Sequence, residues 1–187
     1  MAALLLALIL FPFAGSVLAA FLPADTRNRQ AVLAGLVSVS GLLVAGYCYP
    51  EVGNGAVVRY HVEWLPALGL DFSLRMDGLV WLFVVLVLFI GLLVTLYARY
   101  YMSPDDPVPR FFAFLLAFMG SMLGVVLSGN LVQLVIFWEL TSLTSFLLIG
   151  YWHHRADARR GARMAFMVTA AGGLCLLSGV ILLGHVA

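Results

Sequence analysis

The chain contains no lysine; all ten of its basic residues are arginine. Charge of either sign is scarce: 10% of the 187 residues carry it, against about 25% in an ordinary soluble domain. The net charge of +1 offers no basic surface for nucleic acid. Only two cysteines occur, Cys48 and Cys175, in separate apolar stretches. That excludes a disulfide framework and predicts two small packing residues. No His/Cys/Asp/Glu spacing of the metal-binding kind is present, no phosphate loop, and no nucleophile–base constellation. Neither a metal nor a cofactor is expected, nor a soluble enzyme.

What the chain does have is apolar residues, 64% of the total, with a mean hydropathy of +1.07. A soluble chain of this size would expose the excess and aggregate. Lipid is the solvent in which the composition is cheap, and a spanning helix takes about 20 mainly apolar residues. Six stretches qualify: Ala2–Pro23, Ala31–Tyr49, Leu79–Tyr101, Phe111–Leu127, Asn130–Trp152 and Ala165–Ala187. The expected fold is all-α, a polytopic membrane bundle of six helices. No charge precedes Asp25, so the first stretch lacks the basic start of a cleaved signal peptide and is expected to remain as a span. Pro12 is expected to kink it. Gly120 and Gly124 form a small-xxx-small pair that lets another helix approach closely.

Arginines set the expected orientation. Arg27 and Arg29 follow span one, Arg99 and Arg110 flank the loop after span three, and Arg155, Arg159, Arg160 and Arg163 follow span five. Arg59 and Arg75 lie after span two. The first eight therefore mark the cytoplasmic side. The N-terminus is expected outside, in a plasma membrane.

Between spans two and three, Val58, Tyr60, Val62 and Trp64 alternate with Arg59, His61 and Glu63, a period of two that signals a strand. Leu70 to Arg75 alternates similarly, so a small external β-hairpin is expected. Asp77 stands where the N-cap of span three belongs.

Span five carries the chemistry. Glu139 lies nine residues into it, about 14 Å along the axis and close to the middle of a core about 30 Å thick. A charged acid exposed to lipid there costs several kcal/mol, so it must face the bundle interior, water or a basic partner. A carboxyl that gains and loses a proton at that depth is what a proton relay needs. Ser142, at i+3, shares its face, while Thr141 and Ser145 pair on a neighbouring face. These hydroxyls either solvate the carboxyl or bond back to helix carbonyls. Gln133 is a further polar candidate in the same span.

Other polar residues read as boundary groups. His153 and His154 are adjacent, about 100° apart on a helix, and would not chelate one metal together. His185 reads as an interface residue at the outer end of span six. Arg163 is expected to snorkel to headgroups. Asp105 and Asp106 read as loop residues between Pro104 and Pro107. Tyr97, Tyr100, Tyr101, Tyr151 and Trp152 match an aromatic belt.

Three stretches carry a resemblance: Leu70-Asp-Phe-Ser-Leu-Arg-Met-Asp-Gly-Leu79, Arg110-Phe-Phe-Ala-Phe-Leu-Leu-Ala-Phe-Met119 and Phe137-Trp-Glu-Leu-Thr-Ser-Leu-Thr-Ser-Phe-Leu-Leu-Ile-Gly-Tyr-Trp152. They resemble the antiporter-like membrane subunits shared by respiratory complex I and the Mrp-type multisubunit cation/proton antiporters. The chain looks most like the N-terminal part of the A-type Mrp subunit, with complex I chain 5 as the competitor. Ser128-Gly129-Asn130 lacks the Asp that chain 5 usually carries before the Asn. Thr169-Ala170-Ala171-Gly172-Gly173 lacks the usual Arg and Asp of its sixth span.

The resemblance implies that Glu139 is the family glutamate of a proton pathway, coupled to a lysine on a later helix that is absent here. It implies, as partners, other subunits of an antiporter complex, the lipid bilayer, protons and Na+ or another monovalent cation. It also implies two parts: residues 1–77, two spans plus the hairpin, and residues 78–187, the start of the translocating domain. The alternatives are a proton-pumping subunit of NADH–quinone oxidoreductase and an assembly element without transport of its own.

Overall fold

The structure is a computed structural model and describes residues 2–23, 27–65, 70–103 and 106–186. Asp25, Pro104, Asp105, Ala187 and the Trp64 side chain lie outside the described residues. Among the described residues, six helices are long and apolar enough to cross a membrane. They are α1 (Ala2–Phe21), α2 (Arg27–Gly53), α3 (Gly78–Tyr101), α4 (Val108–Leu127), α5 (Leu131–Ile149) and α6 (Ala156–Val186). Strands β1 (Val58–Leu65) and β2 (Leu70–Met76) pair between α2 and α3. The expected six-span bundle with a hairpin after span two is therefore what the chain forms.

Helices α2 and α6 reach furthest past the expected bounds, for one reason. Helix α2 starts at Arg27 rather than Ala31 and ends at Gly53 rather than Tyr49, while α6 starts at Ala156 rather than Ala165. A hydropathy criterion stops where charge begins, but the hydrogen-bonded helix continues past the lipid into the interface. Arg159, Arg160 and Arg163 are therefore helical residues of α6. Helix α1 is a single element through Pro12, which is buried.

Helix α4 is the hub. It packs on α1, α2, α3 and α5, whereas α6 packs chiefly on α5. Half of its spanning window is buried, against 6% for α6. Small residues let neighbours in: a Cβ on Gly120 would come within 3.1 Å of the Phe13 ring of α1, and one on Gly124 would overlap the Phe137 ring of α5. The glycine pair thus receives two aromatic rings from different helices rather than the backbone of one. Phe112, fully buried, fills the same core with Leu116, Leu123 and Leu127.

The hairpin is antiparallel, pairing Val58 with Met76, Tyr60 with Leu74 and Val62 with Phe72, with an irregularity between Glu63 and Leu65. Val58, Leu74 and Met76 are buried. Arg59 faces Arg75 and Glu63 faces Asp71, like-charge pairs that cost stability. Outside partners compensate: Arg75 donates to Asp77 and His61 approaches Asp71, both at 2.9 Å. Asp77 caps α3, its Oδ1 accepting from Leu79 N at 3.1 Å and Val80 N at 3.0 Å. Those backbone donors, the Val80 N–H foremost, together with Arg75, hold its carboxyl below the usual aspartate range.

The loops sort to two ends. At one, the hairpin meets the α4–α5 link, where Gly129 N donates to Ser73 O at 2.8 Å. At the other, Trp152 Nε1 donates to Asp106 Oδ1 at 3.1 Å, tying the α5–α6 link to the α3–α4 link. Tyr151 departs from the lipid-facing belt expected of it. It is buried against Phe111, ring centroids 5.6 Å apart, and that burial pushes its phenol pKa up. Tyr97, Tyr100 and Tyr101 are exposed, as a belt requires.

Candidate functional site

Helix α5 is started by Asn130, whose side chain accepts from Gln133 N at 2.7 Å. Its Nδ2 donates to the carbonyl of Asp71, so the cap also holds the hairpin. From this fixed end α5 carries Glu139 inward between α4 and α6.

The Glu139 carboxylate reaches α6. Its Oε1 is buried and has no hydrogen-bond partner among the described residues. It rests on Gly173: a Cβ there would overlap Oε1 and lie 2.8 Å from the carboxyl carbon. Trp138 closes the same contact, its Cδ1 3.3 Å from the Gly173 Cβ position. Among the described residues Glu139 forms no ion pair. A buried oxygen without a donor costs about 1–3 kcal/mol, more when charged. The arrangement suits a group that can bind a proton or receive a donor, and lacks either within these helices.

Ser142 and Thr141 take the second of the arrangements open to the hydroxyls. Ser142, 4% exposed, donates to Trp138 O at 3.3 Å, and Thr141 donates to the same carbonyl at 2.6 Å. Thr144, buried and not singled out from sequence, donates to Leu140 O at 2.8 Å. None of these bonds reaches the carboxylate. Ser145 is half-buried on the same helix. Gln133 lies about 9 Å along the axis from Glu139 and about 120° around it. Its Oε1 accepts from Ser73 N at 2.9 Å, so it holds the hairpin instead of flanking the acid. Gly173 is the contact that sequence reasoning missed. The Gly172-Gly173 pair was visible, but nothing in one dimension says which glycine meets the acid.

No cluster of three His, Cys, Asp or Glu side chains that could hold a metal occurs among the described residues. His153, His154 and His185 are exposed at helix ends. Cys48 and Cys175 are both free, on α2 and α6.

Residues 64–112 match the family model for the N-terminus of NADH-ubiquinone oxidoreductase (complex I) chain 5. Residues 128–187, which include Glu139 and Gly173, match that for the transmembrane region of NADH:quinone oxidoreductase and the Mrp antiporter. Together they cover more than half of the chain. The chain belongs to the NADH:quinone oxidoreductase/Mrp antiporter family of membrane subunits.

Within this family the similarity is to the N-terminal part of the A-type subunits. The chain is 58% identical over 98% of its length to a Rhizobium meliloti protein named as the A/B subunit of a probable K(+)/H(+) antiporter, of which it covers 18%. It is 47% identical over 70% of its length to the A-type subunit of the Na(+)/H(+) antiporter of Alkalihalophilus pseudofirmus, covering 16% of that protein. The chain thus spans less than a fifth of the length of these relatives. Among solved structures, the Mrp complex of Dietzia sp. DQ12-45-1b aligns with TM-score 0.73 and 31% identity, over 94% of this chain and 18% of the other. An archaeal membrane-bound sulfane sulfur reductase shares the fold, with TM-score 0.78 at 22% identity, over 96% of this chain and 28% of the other.

Proposed function

We propose that this chain is the N-terminal part of one subunit in a multisubunit monovalent cation/proton antiporter, and that Glu139 is a proton-carrying carboxyl in it. The observation that carries the reading is the carboxylate itself: mid-span, with a buried oxygen that has no donor, lying against α6. The complex exchanges cytoplasmic Na+ or K+ for external protons. Both ions enter from relatives, one named for K+ and one for Na+. The N-terminus lies outside and the links after α1, α3 and α5 face the cytoplasm, in accord with the arginine count. Residues 78–187 begin the translocating unit, against which residues 1–77 pack. Ser142, Thr141 and Ser145 shape the face beside Glu139, while Gln133 holds the hairpin to α5.

The test uses the full-length protein, assembled with its partners in everted vesicles, with proton flux started by Na+ or by K+. Glu139→Gln is expected to abolish cation-dependent flux while assembly, checked by blotting, stays normal. Undiminished flux in the assembled mutant would remove Glu139 from the mechanism and leave an assembly role. The ion that starts flux in wild type identifies the cation. NADH-driven pumping without cation-dependent flux would move the protein to a complex I-type enzyme, which the chain 5 match keeps as the second reading.

A further inference from the structure

At the end of the bundle opposite the hairpin, a cavity of about 280 Å³ opens between α4, α5 and α6. Its polar lining is basic: Arg110 from the first turn of α4, His153 from the α5–α6 link, and Arg159 and Arg163 from α6. Its apolar wall includes Phe146 and Ala162. Arg159 and Arg163 stand four residues apart on one helix face, where like charges repel. Among the described residues none of the three arginines has an acidic partner within 4.0 Å. Asp106, the acid of the neighbouring link, accepts instead from Trp152 and from Ser103 N. Asp157, on the first turn of α6, is exposed and forms no ion pair among the described residues.

The basic groups are also held in place. Arg159 Nη1 donates to His153 O at 2.8 Å. Arg110 lies over the Phe114 ring at 5.4 Å, its Nη1 3.5 Å from His153 Nδ1. Guanidinium groups with no acidic partner among the described residues, beside an apolar wall at the rim of membrane helices, match one chemistry. It is a phosphodiester carrying net negative charge with a hydrocarbon chain attached.

We propose that this cavity is a binding site for an anionic phospholipid. Its phosphate is bound by Arg110, Arg159 and Arg163, and an acyl chain runs along Phe146. Snorkelling by a lone arginine gives general contact with headgroups. Convergence of arginines from two helices gives a site that retains a particular lipid through purification.

Native mass spectrometry of the full-length complex, delipidated and titrated with dioleoyl phosphatidylglycerol, tests the proposal. Wild type is expected to retain one phosphatidylglycerol more than Arg159→Gln/Arg163→Gln, and the variant to need about tenfold or more lipid for the same occupancy. Arg159→Lys/Arg163→Lys keeps the charge and is expected to keep the lipid. Should the double glutamine variant fail to assemble, Arg110→Gln, on another helix, supplies the same comparison. Equal retention by wild type and the glutamine variants would overturn the proposal. So would equal retention of phosphatidylcholine, or displacement by millimolar inorganic phosphate, which would make the site one for free phosphate.

Discussion

The Glu139 carboxyl occupies the space that a side chain on Gly173 would need, and that fit makes a sharp test. Gly173→Ala places a methyl group where Oε1 lies, so the carboxyl must swing aside. A displacement of about 1 Å costs a working group up to about a hundredfold. Cation-dependent proton flux is therefore expected to fall by about tenfold to a hundredfold. Its neighbour supplies the control, because a Cβ at Gly172 meets nothing within 4 Å. Gly172→Ala is expected to leave flux unchanged and to raise helix stability slightly. Equal effects of the two substitutions would sink the idea that contact with Glu139 matters. At the start of α3, Asp77→Ala is expected to cost about 1 kcal/mol through loss of the cap. The folded carboxyl titrates below its unfolded range, so its stabilisation is present above that range and fades as pH falls through the folded value. The melting difference between wild type and Asp77→Ala is accordingly expected to shrink below pH about 4.

Among the elements, the hairpin and α5 behave as one joined unit. Ser73 N, Gln133 Oε1, the Asn130 amide and the Gly129 backbone make a latch across the α4–α5 link. Gln133→Ala removes the acceptor of Ser73 N. Amide exchange at Ser73 is expected to accelerate about fivefold, the equivalent of about 1 kcal/mol. Exchange at the Tyr60 amide, within the paired strands, is expected to change less. Much of this element was legible beforehand. Alternation over Val58 to Glu63 and the position of Asp77 follow from backbone geometry alone. The docking of Gln133 was not legible, because its partner is a backbone amide 60 residues away.

For the whole molecule, stability is concentrated around α4. Phe112→Ala empties a fully buried ring position and is expected to cost about 3–5 kcal/mol. Met167→Ala, on the exposed face of α6, is expected to change stability by no more than about 0.5 kcal/mol. Reversible unfolding in detergent micelles measures both. If the α6 substitution proved the more costly, the hub would be misplaced.

By itself the sequence determined the solvent, the number of spans, the hairpin and the depth of Glu139. Each depends on counts and periods along one dimension, and lipid imposes those directly. Only the tertiary structure decided which helix is central, which glycine meets the acid, where Gln133 and Tyr151 turn, and that Thr141, Ser142 and Thr144 bond back to their own helix. The reason is physical. Helices that are apolar on every side do not announce which face meets a neighbour, since lipid and protein interior solvate them almost alike. Partner choice then rests on shape: small residues opposite large ones, as at Gly124 and Phe137 or Gly173 and Glu139. Such fits exist only once the helices stand side by side.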